Sequence, residues 1–289
     1  MKFKKDKNYP FIIAEIGHNH QGNIKTAMQL IKEAKNAGAD AVKLQKRDNK
    51  SLYTSKFYNS PYDNPNSYGD TYGEHREYLE FDAAQYKDLI SFSKDLNIEF
   101  FSTPFDFKSL EFLEKLDLKM YKISSADLIH KPLQIEIART GKHIMQSTGG
   151  GSMEDVVRAK ENIMKINKNL SILHCTASYP CEIEDMNLNV ISKFKKTFPD
   201  CTIGLSDHEN GIDAGPIAYM LGARIFEKHF TLNRANKGTD HAFSLEPIGL
   251  TKFVRNLRRI QNFLGSDEKK MLKNEKKPLF KMRKSIVAK

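Results

Sequence analysis

Three lysines stand inside otherwise apolar, strand-like segments: Lys43 in DAVKLQ, Lys122 in MYKISS and Lys228 in ARIFEKHF. An ammonium in a buried strand is costly unless a negative group meets it, so three such cases call for a common cause. The three sit at or near segment ends that would converge on one pocket, and two of them are expected to hold an anion there. Hydroxyls at neighbouring ends, Thr103, Ser125 and Ser206, would supply the direction that a point charge lacks. His208 and His229, with Glu15 close by, make a nitrogen and oxygen set suited to one divalent cation. Gln45, Asp127, Gln146, His174, Tyr179, Asp207 and Glu227 complete the polar residues at these ends. Taken singly, each has an ordinary reading: a strand lysine can snorkel or pair, and a lone histidine can be a hydrogen-bonded structural group. His174 and Cys175 are adjacent in one strand and point to opposite faces, which argues against a nucleophile dyad. Gly149 to Gly151 reads either as a phosphate cradle or as a link from strand to helix.

The elements that must position these residues alternate along the chain. FIIAEIG (Phe11 to Gly17) precedes a helix candidate from Lys25 to Ala37, where Ala27, Met28, Leu30, Ile31, Ala34 and Ala37 recur at helical spacing before Gly38. DAVKLQ, EFFSTP, MYKISS, HIMQST, LSILHCT, CTIGLSD and ARIFEKHF follow as strands, with a long polar loop and then the helical segment Ala83 to Leu96 after the second strand and a helical segment after each later one. Eight strands each followed by a helix predict a closed α/β (β/α)8 TIM barrel over residues 1–265. An open doubly wound sheet is the alternative, but no GxGxxG follows the first strand, and polar residues recur at many strand ends instead of at one crevice.

The composition agrees with this. The chain has 289 residues, 39% hydrophobic and 28% charged, enough to bury a globular core. No apolar stretch is long enough for a membrane span, and no secretory cleavage site follows the N-terminal apolar run, so a cytoplasmic protein is expected. Cys175, Cys181 and Cys201 show no metal-type CxxC spacing and are expected to be reduced thiols. The lysines behind the net charge of +10 are spread over the helices and concentrate only in the tail Lys269 to Lys289, without a nucleic-acid-binding motif, and the basic balance suits an anionic small substrate better than nucleic acid.

EIGHNHQG, DAVKLQ, FFSTPF, KISSADL, HCTASYP, IGLSDH, EKHFT and GTDHAFS, in this order, resemble the N-acetylneuraminate (sialic acid) synthases from about Phe11 onward. The resemblance implies a barrel that condenses phosphoenolpyruvate with an N-acetylated amino sugar such as N-acetylmannosamine, with Mn²⁺ or else Mg²⁺ or Co²⁺, to a nine-carbon 2-keto-3-deoxy sugar acid. It assigns the metal to His208 and His229. Phosphoenolpyruvate falls to Lys43, Thr103, Lys122, Ser125 and Ser206, the acidic group beside a metal-bound water to Glu15, and the sugar side to Tyr179 and Asp240. Asp127 stands where the family carries the glutamate of a KIxSGE block and is expected to act in catalysis with a shorter reach. Ala177 replaces an asparagine near the substrate, and Lys46 to Phe81 differs from the sialic acid form, so a precursor of legionaminic or pseudaminic acid is a possible sugar. Family members continue past an RRSLVA-like linker into an antifreeze-like domain that reaches across a homodimer. Here MRKSIVAK comes last, and residues 266–289 are expected to be a basic linker without that domain, mobile from Lys276 to Lys289. Two readings compete with the synthase: a Schiff-base aldolase using Lys43 or Lys122 as nucleophile, and a barrel that only binds sugar acids.

Overall fold

A computed structural model describes residues 6–284. Eight parallel strands close on themselves in the order β1 to β8: Phe11–Gly17, Ala41–Lys46, Glu99–Pro104, Met120–Ile123, His143–Ser147, Leu170–Cys175, Thr202–Asp207 and Ile225–His229. The expected (β/α)8 barrel is present, and closure brings β8 beside β1, where Glu15 pairs in register with His229. The chain forms one compact unit extending to Arg258 and a second from Arg259.

Local sequence explains the units. Asn23 caps the helix Ile24–Asn36 by accepting from the amides of Lys25 and Thr26, and Ala27, Leu30, Ile31 and Ala34 form its buried stripe. Ser152 and Asp155 form a capping box at the start of Met153–Met164, which returns the chain from β5 to β6. The strands are buried on both faces, as parallel strands in a barrel must be. Their lower interior positions fuse into one apolar cluster of Phe11, Ile13, Ala41, Phe101, Met120, Met145, Leu173 and Ile225, which forms the barrel floor.

One segment differs from expectation, and another carries an element that the sequence reading did not name. The stretch after β2, read as a polar loop, contains the short helices Asn49–Leu52, Ser55–Tyr58 and Tyr72–Tyr78. The last of these is set by a capping box between Thr71 and Glu74. In the second unit, Lys276–Met282 is a helix within the tail expected to be mobile, and Phe280 on it is exposed. The end of the MRKSIVAK block, residues 285–289, lies outside the described residues. Among the described residues no helix is long and apolar enough to cross a membrane.

Candidate active site

Side chains alternate along a strand, so the residue two places beyond each floor position faces the interior one layer higher. Those residues are Glu15, Lys43, Thr103, Lys122, Ser147, Cys175 and Glu227; Ser206, two places beyond Gly204, joins them from β7, and all eight line a chamber of about 940 Å³ at the C-terminal mouth. Lys43 Nζ donates to Thr103 Oγ1 at 2.9 Å and lies 2.8 Å from Glu15 Oε2 and 3.9 Å from Glu227 Oε2. Lys122 Nζ and Ser206 Oγ both donate to Glu227 Oε1, each at 3.0 Å. Gln45 donates to Glu15 Oε1 at 2.8 Å. Burial alone would raise the pKa of Glu227, but the ammonium groups of Lys122 and Lys43 and the bonds from Lys122 and Ser206 bring it down to about 2. Glu15 moves the other way: burial and the nearby Glu227 charge raise it against the pull of Lys43 and Gln45. Two carboxylates of one layer are thereby driven apart, one ionised and one closer to holding a proton.

Hydroxyls complete this layer. Ser147 Oγ is buried and has no hydrogen-bond partner among the described residues. Ser125 opens the short 3-10 helix after β4, accepts from the Gly149 amide at 3.0 Å and lies 3.4 Å from Cys175 Sγ. A Cβ on Gly149 would stand 2.8 Å from Ser125 Oγ and 2.9 Å from Ala177 Cβ, so close approach requires glycine there. The glycine run thus both links strand to helix and borders the chamber.

The next layer holds the histidines. His208 and His229 have ring centroids 5.4 Å apart, and Tyr179 lies 4.2 Å from His208. His208 Nδ1 is 2.9 Å from the Thr176 carbonyl, so that nitrogen carries a hydrogen, and Nε2 offers a lone pair in the neutral ring; burial lowers the pKa of His208, but Cys175 and the Thr176 carbonyl raise it overall. Burial lowers the pKa of His229 to about 3, leaving the ring neutral, and its Nδ1 is buried without a hydrogen bond, 3.7 Å from Asp240 Oδ2. Asp240 Oδ2, Glu15 Oε1 and Gln45 Nε2 all crowd Gly17, each 3.3 to 3.4 Å from where a Cβ would be. With φ at +52°, Gly17 bends the end of β1 away between them.

Ten of the eleven expected site residues, Glu15, Lys43, Thr103, Lys122, Ser125, Tyr179, Ser206, His208, His229 and Asp240, line this chamber. Asp127 does not: its carboxylate accepts from Ser124 Oγ at 2.6 Å and faces His130 Nδ1 at 3.3 Å, because the 3-10 turn rotates it behind Ser125. It is better placed to shape that turn than to touch a substrate. Lys228 also leaves the expected group. It is the outward neighbour of Glu227 and His229, and it pairs with Asp207 at 2.8 Å and with the Glu209 carbonyl. Gln146 turns to the Ser124 and Ser147 carbonyls, and His174 to the Met186 carbonyl at 2.7 Å, as a structural histidine would. Ser147, Glu227, His18, Arg47 and Arg76 line the chamber without having been assigned a role from sequence.

Glu15 does not join the histidines as a third metal ligand, since Lys43 and Gln45 occupy its oxygens. Among the described residues no group of three or more His, Cys, Asp or Glu side chains is placed to hold an ion. The donor set nevertheless fits a cation completed by water or substrate: two adjacent imidazoles, one with Nδ1 tied to a carbonyl and the other with an orphaned ring nitrogen.

An all-parallel barrel with an ionic layer above an apolar floor, and a histidine pair above that, defines the class: a (β/α)8 protein with a polar chamber at its C-terminal mouth. The profile of the NeuB family matches residues 30–269, and the chain belongs to that family. It is 41% identical over 279 residues to the N-acetylneuraminate-9-phosphate synthase of Mus musculus, covering 96% of this chain and 78% of that one. It is 38% identical to the N,N'-diacetyllegionaminic acid synthase of Campylobacter jejuni, covering 96% and 84%. The crystal structure of the N-acetylneuraminic acid (sialic acid) synthetase of Leptospira borgpetersenii in complex with citrate superposes with a TM-score of 0.80 at 31% identity, over 94% of this chain and 91% of that one.

Proposed function

We propose that the protein condenses phosphoenolpyruvate with an N-acetylated amino sugar to a nine-carbon 2-keto-3-deoxy sugar acid, releasing phosphate by C–O cleavage. The observation that carries this reading is one buried layer in which Lys43 and Lys122 stand among Thr103, Ser147 and Ser206, directly below a histidine pair. Two ammonium groups and several hydroxyls match the phosphate and carboxylate of a three-carbon enol ester. Relatives named for a 9-phosphate product and for unphosphorylated acids both belong to this group, so the state of the sugar is the open variable.

In this reading Lys43 and Lys122 hold the two anionic ends and orient carbon 3 toward the sugar, a positioning effect that can supply several kcal/mol. Carbon 3 attacks the C1 aldehyde, whose oxygen gains a proton as the new bond forms. Water then adds at carbon 2 and loses its proton. Glu15, its pKa raised by burial, is the group best placed to receive it. The resulting hydroxyl loses its proton as the C2–O bond to phosphate breaks, leaving a ketone and free phosphate. A divalent cation held by His208 and His229, Mn²⁺ or alternatively Mg²⁺ or Co²⁺, would supply Lewis-acid polarisation of the aldehyde. A homodimer and a cytoplasmic location belong to the same reading and are checked by light scattering and cell fractionation.

The decisive assay uses phosphoenolpyruvate labelled with ¹⁸O at the bridging position, a panel of N-acetylated hexosamines, and each metal in turn. The expected result is keto-acid product with the label in phosphate and loss of turnover on chelation. Label retained in the organic product, or no product from any sugar, overturns the reading. The aldolase alternative needs an unpaired amine, whereas both lysines are engaged by carboxylates. Borohydride trapping with pyruvate is expected to leave the protein mass unchanged.

A further inference from the structure

At the rim of the chamber stands a second cationic group that the reaction above does not use. Arg47 follows directly on β2, is 8% exposed, and lies over the Phe105 ring at 3.6 Å. Its Nη1 is 3.1 Å from His18 Nε2. Arg76, on the helix Tyr72–Tyr78, brings its Nη1 to 3.3 Å from Nδ1 of the same ring and donates through Nε to the Tyr72 hydroxyl at 2.9 Å. Among the described residues neither guanidinium forms an ion pair with a carboxylate, in contrast to the chamber lysines.

This arrangement is incomplete as it stands. Guanidinium groups only donate, and a neutral imidazole has a single lone pair, so one of the two arginines faces an N–H. A protonated ring would place three cations together. The chemistry that resolves the conflict is an acceptor with several negative oxygens, which a phosphate monoester provides and an uncharged hydroxyl does not.

The group also lies in the right direction from the reacting centre. His18 is three residues beyond Glu15, at most roughly 10 Å along the chain. Asp240 stands between the two ends, beside both His229 and Gly17. His208, His229, His18, Arg47 and Arg76 all line the same chamber, so a six-carbon sugar with its aldehyde at the histidines can turn its far end to the arginines. We propose that His18, Arg47 and Arg76 form a second anion subsite that binds the terminal phosphate of a phosphorylated N-acetylhexosamine. This rests on the function proposed above and specifies its sugar substrate.

The test compares N-acetylmannosamine with its 6-phosphate at saturating phosphoenolpyruvate. The wild-type protein is expected to prefer the phosphorylated sugar by about a hundredfold in kcat/KM, as loss of a bidentate charged contact implies. Arg76→Ala and Arg47→Ala are expected to collapse that preference through KM, and Arg76→Lys to restore part of it. The calorimetric Kd for phosphoenolpyruvate is expected to stay within about twofold, since those contacts lie in the layer below. Equal kcat/KM for the two sugars overturns the subsite, as does a parallel loss of phosphoenolpyruvate affinity in the variants. Arg76 is less buried than Arg47, so its variant stands even if Arg47→Ala does not fold. If neither sugar turns over, the synthase reading fails separately. Calorimetry with the 6-phosphate sugar alone then decides the subsite: heat in the wild type that is lost in Arg76→Ala upholds it, and no heat in the wild type refutes it.

Discussion

Glu227 is the carboxylate on which both chamber lysines converge. Replacing it by glutamine leaves two buried ammonium groups with Glu15 alone, and breaking such a pairing costs about 3 kcal/mol. Glu227→Gln is expected to lower the urea midpoint accordingly while keeping the m-value, as equilibrium unfolding would show. Lys122→Met removes the ammonium and is expected to abolish calorimetric binding of phosphoenolpyruvate. Unchanged affinity would sink the assignment of the anion to this layer. Lys43 and Lys122 were legible from sequence because a charged residue in an apolar strand is conspicuous. The outward position of Lys228 also follows from the sequence. Adjacent strand residues cannot both face inward, so placing His229 inside forces Glu227 inside and Lys228 out. The same parity, counted two places on from the apolar floor, also yields Ser147, Cys175 and Glu227. Asp127 could not be placed this way, because it lies in a 3-10 turn that resets the alternation.

Among elements, the strands and their helices were readable because parallel strands are continuous apolar runs and the helices carry a regular buried stripe. The segment after β2 was not, since its helices are short and its order depends on docking against the rest of the mouth. Gln21 Nε2 donates to the Tyr68 hydroxyl at 3.0 Å and to the Lys237 carbonyl at 2.9 Å, and the Gly238 amide donates to Asn66 at 3.0 Å. Arg76 was illegible for the same reason. Removing the cap with Thr71→Ala costs about 1 kcal/mol. It is expected to speed amide exchange over residues 72–78 about fivefold while β1 to β8 keep their protection. Uniform acceleration through the barrel would show that this helix is not an independent local unit. Gly149→Ala is expected to displace Ser125 and raise the KM for phosphoenolpyruvate about tenfold without a matching loss of stability, read from steady-state kinetics beside a thermal melt.

At the scale of the whole molecule, Arg47 and Arg76 at the rim draw anions toward a mouth whose inner layer is close to neutral, since its lysines are matched by glutamates. Raising ionic strength from low to physiological is therefore expected to reduce kcat/KM for phosphoenolpyruvate with kcat nearly constant, because screening acts on approach more than on the buried contacts. A fall in kcat of equal size would show that the salt reaches the chamber itself. The apolar cluster from Phe11 to Ile225 has a consequence of its own. It turns the barrel into a well with a single opening, and such a vessel imposes a queue. In the proposed reaction, the compound seated on the ionic layer would have to arrive before its companion is lowered on top of it, and the inorganic fragment left at the bottom would wait until the larger product has lifted away. Product-inhibition kinetics would register that order as a compulsory sequence, first in and last out.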